Sequence, residues 1–118
     1  MKVLVVDDDY AVLDAFKDVL EDEGYEVSVA ANGLEALKEL RQGARPDVIL
    51  LDLMMPVMNG WEFRQEQLRD QALSAIPTVI VTAHNRPEES ARELGVVSCI
   101  RKPVKPELLL STVGKFRG

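Results

Sequence analysis

Short β-branched and aliphatic runs recur along the chain, at Val3 to Val6, Val27 to Ala30, Val48 to Leu51, Thr78 to Val81 and Val97 to Ile100. Each is bounded by Gly, Pro, Asp or Asn, and short apolar runs between turn formers predict strands. The intervening segments carry helical spacing. Val12, Leu13, Phe16, Val19 and Leu20 recur on one face, and Gly24 stands where that helix should end. Leu34, Leu37 and Leu40 form a second apolar stripe closed by Gly43, with Pro46 ahead of the third strand. The third helical segment, Gly60 to Leu73, has the weakest periodicity, because Phe63 and Leu68 do not share a face. Pro87 near a first helical position, Glu88 and Glu89 in the first turn and Gly95 as terminator predict a short fourth helix. A fifth follows Pro106 and carries Leu108, Leu109, Val113 and Phe116.

Strand and helix thus alternate with short connections, which calls for right-handed crossovers and a parallel sheet covered on both faces. The nearly unbroken apolarity of the first, third and fourth strands agrees, since strands buried on both sides do not alternate. The expectation is one α/β domain over residues 1–118, doubly wound, with five strands and five helices. Sheets of this kind bind ligands outside the carboxyl ends of their strands.

Composition narrows the setting. A chain of 118 residues, 47% apolar and 29% charged, supports one sizeable core. No apolar stretch approaches the roughly 20 residues of a membrane-spanning helix, and the N-terminus lacks the pattern of a signal peptide. Cys99 is the single cysteine and has no intrachain partner, so a soluble, cytoplasmic protein is expected, with no membrane association. The net charge of −6, from 20 acidic and 14 basic residues, would repel a phosphate backbone, and nucleic acid is not expected as a direct partner. Most of the acidic residues are read as solvated surface.

Chemistry concentrates at strand ends. Asp7, Asp8 and Asp9 follow the first strand, and Asp52 follows the third. Carboxylates brought together repel by several kcal/mol at intermediate dielectric, so such a cluster needs a divalent cation or a lysine. Hard oxygen donors without His or Cys suit Mg²⁺. Asp9 is read as the cap of the first helix and Asp8 as part of the cluster. Thr82 closes the fourth strand and Lys102, before Pro103, closes the fifth. Each is ordinary alone; together they supply a hydroxyl and an ammonium beside a carboxylate cluster, the parts required for phosphoryl transfer to a carboxylate.

The segments Val5-Val6-Asp7-Asp8, Pro46 through Asp52 to Gly60, Val81-Thr82-Ala83 and Lys102-Pro103 resemble the four characteristic segments of receiver domains in the bacterial response-regulator family, the CheY-like proteins of two-component signalling. The resemblance spans the whole chain. It implies a flavodoxin-like sheet in order 2-1-3-4-5. It further implies that Asp52 is the phosphoacceptor, that Asp8, Asp52 and the backbone carbonyl of Met54 ligate Mg²⁺, and that Asp7 acts through a water. Thr82 and Lys102 would contact the phosphoryl group, and the Lys102-Pro103 bond would be cis. Implied partners are a sensor histidine kinase or phosphotransfer protein, a downstream protein and a second copy in a homodimer. The domain would catalyse only its own phosphorylation and dephosphorylation, with no separate substrate.

Two departures stand out. Cys99 occupies the position, three before Lys102, where the family usually has a switch Tyr or Phe, and the interval from Thr82 to Lys102 is about two residues short. Cys99 is read as a small buried apolar residue. His84 is read as a loop side chain at the pocket mouth, Met54, Met55 and Met58 as packing and backbone residues, and Trp61 as packing at the start of the third helix. The competing function is a phosphorylation-independent interaction module of the same fold. An aspartyl-phosphate phosphatase would want a second carboxylate where Met54 stands, and a flavin-binding relative a Ser/Thr/Gly-rich loop where Asp7-Asp8-Asp9 stands.

Overall fold

A computed structural model describes residues 1–117. Strands β1 (Lys2–Val6), β2 (Glu26–Ala30), β3 (Val48–Leu51), β4 (Thr78–Thr82) and β5 (Ser98–Arg101) alternate with helices α1 (Tyr10–Asp22), α2 (Gly33–Arg41), α3 (Gly60–Arg69), α4 (Pro87–Leu94) and α5 (Pro106–Gly114). The strands form one parallel sheet in the order β2-β1-β3-β4-β5, as the resemblance implied. Alternate residues of the central strands feed two cores. Leu4, Val6, Ile49, Leu51 and Ile80 meet α2, α3 and α4 through Leu37, Leu40, Phe63 and Leu94. Val3, Val5, Leu50, Val79 and Val81 meet α1 and α5 through Leu13, Phe16, Leu20, Leu109 and Val113. Burial on both faces explains the unbroken apolar runs.

Local signals set the helix boundaries. Asp9 caps α1, its carboxylate accepting the Ala11 amide; Asn32 caps α2; Asn59 and Glu62 form a capping box on α3. Gly95, at φ 64°, ends α4 in the left-handed region that glycine reaches without penalty.

The structure corrects several boundaries and faces. The third helix stops at Arg69 instead of Leu73, and β5 begins at Ser98, leaving Val97 exposed. Leu34 and Leu108 point outward, so Ala36 and Leu109 help carry the buried faces of their helices. The weak periodicity of α3 has a physical cause. Its buried face is Gly60, Phe63, Arg64 and Gln67, a regular helical stripe in which two members are polar, while Leu68 is exposed.

Candidate functional site

Strand order reverses between β1 and β3, whose neighbours lie on opposite sides of the sheet, and the candidate carboxylates Asp7, Asp8 and Asp52 collect at the carboxyl ends of these two strands. Backbone pairing fixes both acids there: the Asp7 amide donates to the Ala30 carbonyl, and the Asp52 amide to that of Val6. Asp7, Asp8 and Asp52 can each offer an oxygen within 4.8 Å of the others. Asp7 and Asp52 are buried, whereas Asp8 is exposed, so the cluster opens to solvent on its Asp8 side.

Lys102 reaches this cluster from the end of β5, its amide held by the Thr82 carbonyl and its peptide bond to Pro103 cis. Its Nζ lies 2.5 Å from Asp7 Oδ2 and 3.4 Å from Asp52 Oδ2. The other Asp52 oxygen, Oδ1, accepts the Leu53 amide at 2.8 Å and is 3.5 Å from the Met54 amide. Burial first, and then the negative charge of Asp7, raise the Asp52 carboxyl above the ordinary carboxylate range, against the opposing pull of Lys102. Burial alone would lower Lys102. The hydrogen bond to Asp7 and the charges of both acids outweigh it and hold the ammonium above its usual value. One ammonium therefore pairs with Asp7 and Asp52, and Asp8 adds a third carboxylate to the cluster. A set of hard oxygens short of positive charge, with no imidazole or thiolate among them, is suited to hold a metal ion.

Thr82 closes β4 on the same rim and is fully buried, with its hydroxyl oxygen accepting the His84 amide at 3.2 Å. His84 Nδ1 in turn accepts the Arg86 amide, and the ring meets Trp61 edge to face at 5.9 Å between centroids. His84 thus lies in the loop after β4, beside Thr82, with its Nδ1 already committed. Met55 and Met58 pack, but the Met54 side chain is 60% exposed, which corrects its reading as a packing residue. Cys99 is half-buried instead of buried, resting on the core between the sheet and α4; burial and then Glu88 raise its thiol.

Two supporting features escaped the sequence reading. A Cβ on Gly60 would lie 2.5 Å from the Asp52 carbonyl oxygen, so the loop after β3 can close onto the strand end only with glycine there. Val57 has φ 69°, uncommon for a β-branched residue, inside a tight turn closed by the Met58 amide on the Pro56 carbonyl. The Gly60 contact is visible in sequence only as an Asn-Gly pair. Nothing in the sequence marks Val57.

Residues 3–114 match the family described as the response regulator receiver domain. This chain belongs to that family. The receiver domain is similar to the polar-differentiation response regulator DivK of Brucella anthropi, 35% identical over 118 residues that cover 98% of this chain and 95% of that protein. It is also similar to the probable transcriptional regulator ycf29 of Pyropia yezoensis, 34% identical over 98% of this chain but spanning only 52% of that protein. Among solved structures, chemotaxis response regulator CheY4 of Vibrio cholerae superposes with a TM-score of 0.88 at 37% identity, covering 98% of both chains. Receiver domains of this family work in two-component systems, and the strand order and acidic cluster of this one accord with that membership.

Proposed function

We propose that this receiver domain accepts a phosphoryl group on Asp52 from the phosphohistidine of a sensor histidine kinase or phosphotransfer protein, and signals through contacts with a downstream protein. The observation that carries the proposal is the buried Asp52 carboxylate, with Asp7 and Asp8 alongside and the Lys102 ammonium reaching in. An Asp52 oxygen attacks phosphorus, the phosphorus–nitrogen bond of the donor breaks, an acyl phosphate forms, and the departing imidazole takes up a proton. Attack requires ionised Asp52, whose carboxyl is held above its ordinary range, so the positive charge of Lys102 serves the nucleophile before transfer. Lys102 then remains against the transferred group, and the Thr82 hydroxyl exchanges the His84 amide for a phosphoryl oxygen. Asp8, Asp52 and the Met54 carbonyl would hold Mg²⁺, with Asp7 behind them through water. When bound, the ion neutralises charge shared between Asp52 and the phosphoryl oxygens. Water later cleaves the acyl phosphate to the Asp52 carboxylate and inorganic phosphate, so the domain resets itself without a separate substrate.

Half-buried Cys99, at the position of the usual switch aromatic, favours a second reading, an interaction module independent of phosphorylation. Incubation with Mg²⁺ and acetyl phosphate, followed by intact mass, separates the two. The wild type should gain one phosphoryl group and Asp52→Asn none, because the amide keeps the shape but loses the nucleophile. A wild type that gains nothing supports the interaction module.

A further inference from the structure

Arg64 of α3 is 6% exposed, and among the described residues no carboxylate pairs with it. Its guanidinium is spent on the carboxyl end of α4. Nε donates to the Leu94 carbonyl and Nη2 to that of Gly95, each at 3.0 Å, while Nη1 donates to Gln67 Oε1 at 2.8 Å. Gln67, fully buried, donates through Nε2 to the carbonyls of Leu73 and Ile76, and its Oε1 accepts the Thr78 hydroxyl. A cation at a helix carboxyl end satisfies carbonyls that the helix leaves unpaired and opposes its dipole. The planar fork fixes several acceptors at once, and Gln67 and Thr78 tie it to the head of β4.

The other end of α4 is held differently. Arg86 supplies no side-chain cap, and its pairing with Glu89 at 3.6 Å is between exposed side chains. The entry is tied instead by two bonds in series, from the Arg86 amide to His84 Nδ1 and from the His84 amide to the Thr82 hydroxyl. That hydroxyl is the group the proposed switch displaces.

We infer that Arg64 makes the carboxyl end of α4 a fixed pivot, so that movement beginning at Thr82 reaches only the amino-terminal half of the helix. The pivot stands on the geometry alone, and the direction of movement rests on the phosphoryl-switch reading. Residue-resolved amide exchange tests both, following Arg86 and Ser90 at one end and Leu94, Gly95 and Val96 at the other. In Arg64→Met without phosphodonor, Gly95 and Val96 should exchange about tenfold faster or more, the scale of losing charged hydrogen bonds, with Arg86 and Ser90 unchanged. Arg64→Lys, which keeps the charge but not the fork, should show the same and decides the matter if the Met variant fails to fold. Wild-type rates at Gly95 and Val96 in the folded variant overturn the pivot. In wild type shown by intact mass to be phosphorylated, Arg86 and Ser90 should change by about tenfold while Leu94 to Val96 change less than about twofold. Equal change at both ends overturns the inference. If no phosphoryl group is gained, the function proposal fails, and the comparison made without phosphodonor still decides the pivot.

Discussion

The receiver domain buries two clusters of polar side chains, and they differ in what is left over. Around Arg64, Gln67 and Thr78 each donor named above meets a carbonyl or amide oxygen, and the one charge sits at a helix end. At the strand ends, Asp7 and Asp52 share a single ammonium, and exposed Asp8 adds a third negative charge. Buried polar groups are tolerated when their bonds close, and the first cluster closes on itself. The second closes only by recruiting positive charge from outside. Burial of polar groups is thus common to structure and chemistry, and unmet electrostatic demand distinguishes the candidate site.

The sharpest break of this comparison removes one centre from each cluster. Lys102→Met leaves the buried acids without their cation and should cost about 3 to 5 kcal/mol at neutral pH. That cost should shrink in acid. The Asp52 carboxyl is already raised, and losing Lys102 removes an influence that lowers it. A carboxyl raised in the folded state contributes stability that is present below its unfolded value and is lost as pH rises through the folded value. Lys102 itself, also raised, keeps its proton throughout the mildly acidic to neutral range and adds no slope there. Gln67→Met should cost about 1 to 3 kcal/mol by leaving an Arg64 donor unpaired and taking one of two donors from each of the Leu73 and Ile76 carbonyls, with no such pH slope. Denaturant melts of both variants from pH 5 to 8 measure the difference in slope; equal slopes would erase the distinction drawn between the clusters.

A smaller effect sharpens the same contrast from the ligand side. Mg²⁺ should stabilise the wild type by about 1.4 kcal/mol at tenfold excess over its dissociation constant, seen as a rise in Tm. Asp8→Asn should melt higher than wild type without metal, through relief of like charge, and respond less to Mg²⁺. Insensitivity of the wild type at millimolar Mg²⁺ would remove the metal from the proposed function, while Gln67→Met should keep the wild-type increment.

These clusters were also unequally legible in sequence. Asp7, Asp8, Asp52, Thr82 and Lys102 stand at or just past the ends of apolar runs, so strand prediction alone puts them on one rim of a parallel sheet. The sheet order came from resemblance, because alternation of strand and helix does not specify which strands are neighbours. Arg64 and Gln67 are hidden for the opposite reason: they occupy buried helical positions that apolar periodicity leaves blank, and most of their partners are backbone carbonyls without a residue type. The exposure of Leu34, Leu68 and Leu108 shows the converse error, an apolar side chain off the buried stripe.

The smallest expected effect is at Cys99. The residue pairs with Ile80 in the sheet and rests half-buried against the core beside α4, with its thiol raised by burial and then by Glu88, which favours the protonated form over the nucleophilic thiolate. A group of this size has no bulky ring to swing between an inner and an outer position. If the signal instead leaves Thr82 through the His84 and Arg86 amides, Cys99→Ala should change stability by no more than about 1 kcal/mol. It should also leave the phosphorylation-induced change in amide exchange along residues 83–94 within about twofold of wild type. Thr82→Ala should behave oppositely. It removes the acceptor of the His84 amide, so residues 84 to 86 should exchange faster even at rest, and phosphorylation should then add little. Equal suppression by both substitutions, with the fold preserved, would make Cys99 part of the relay and would join the sheet edge to the site by a second route.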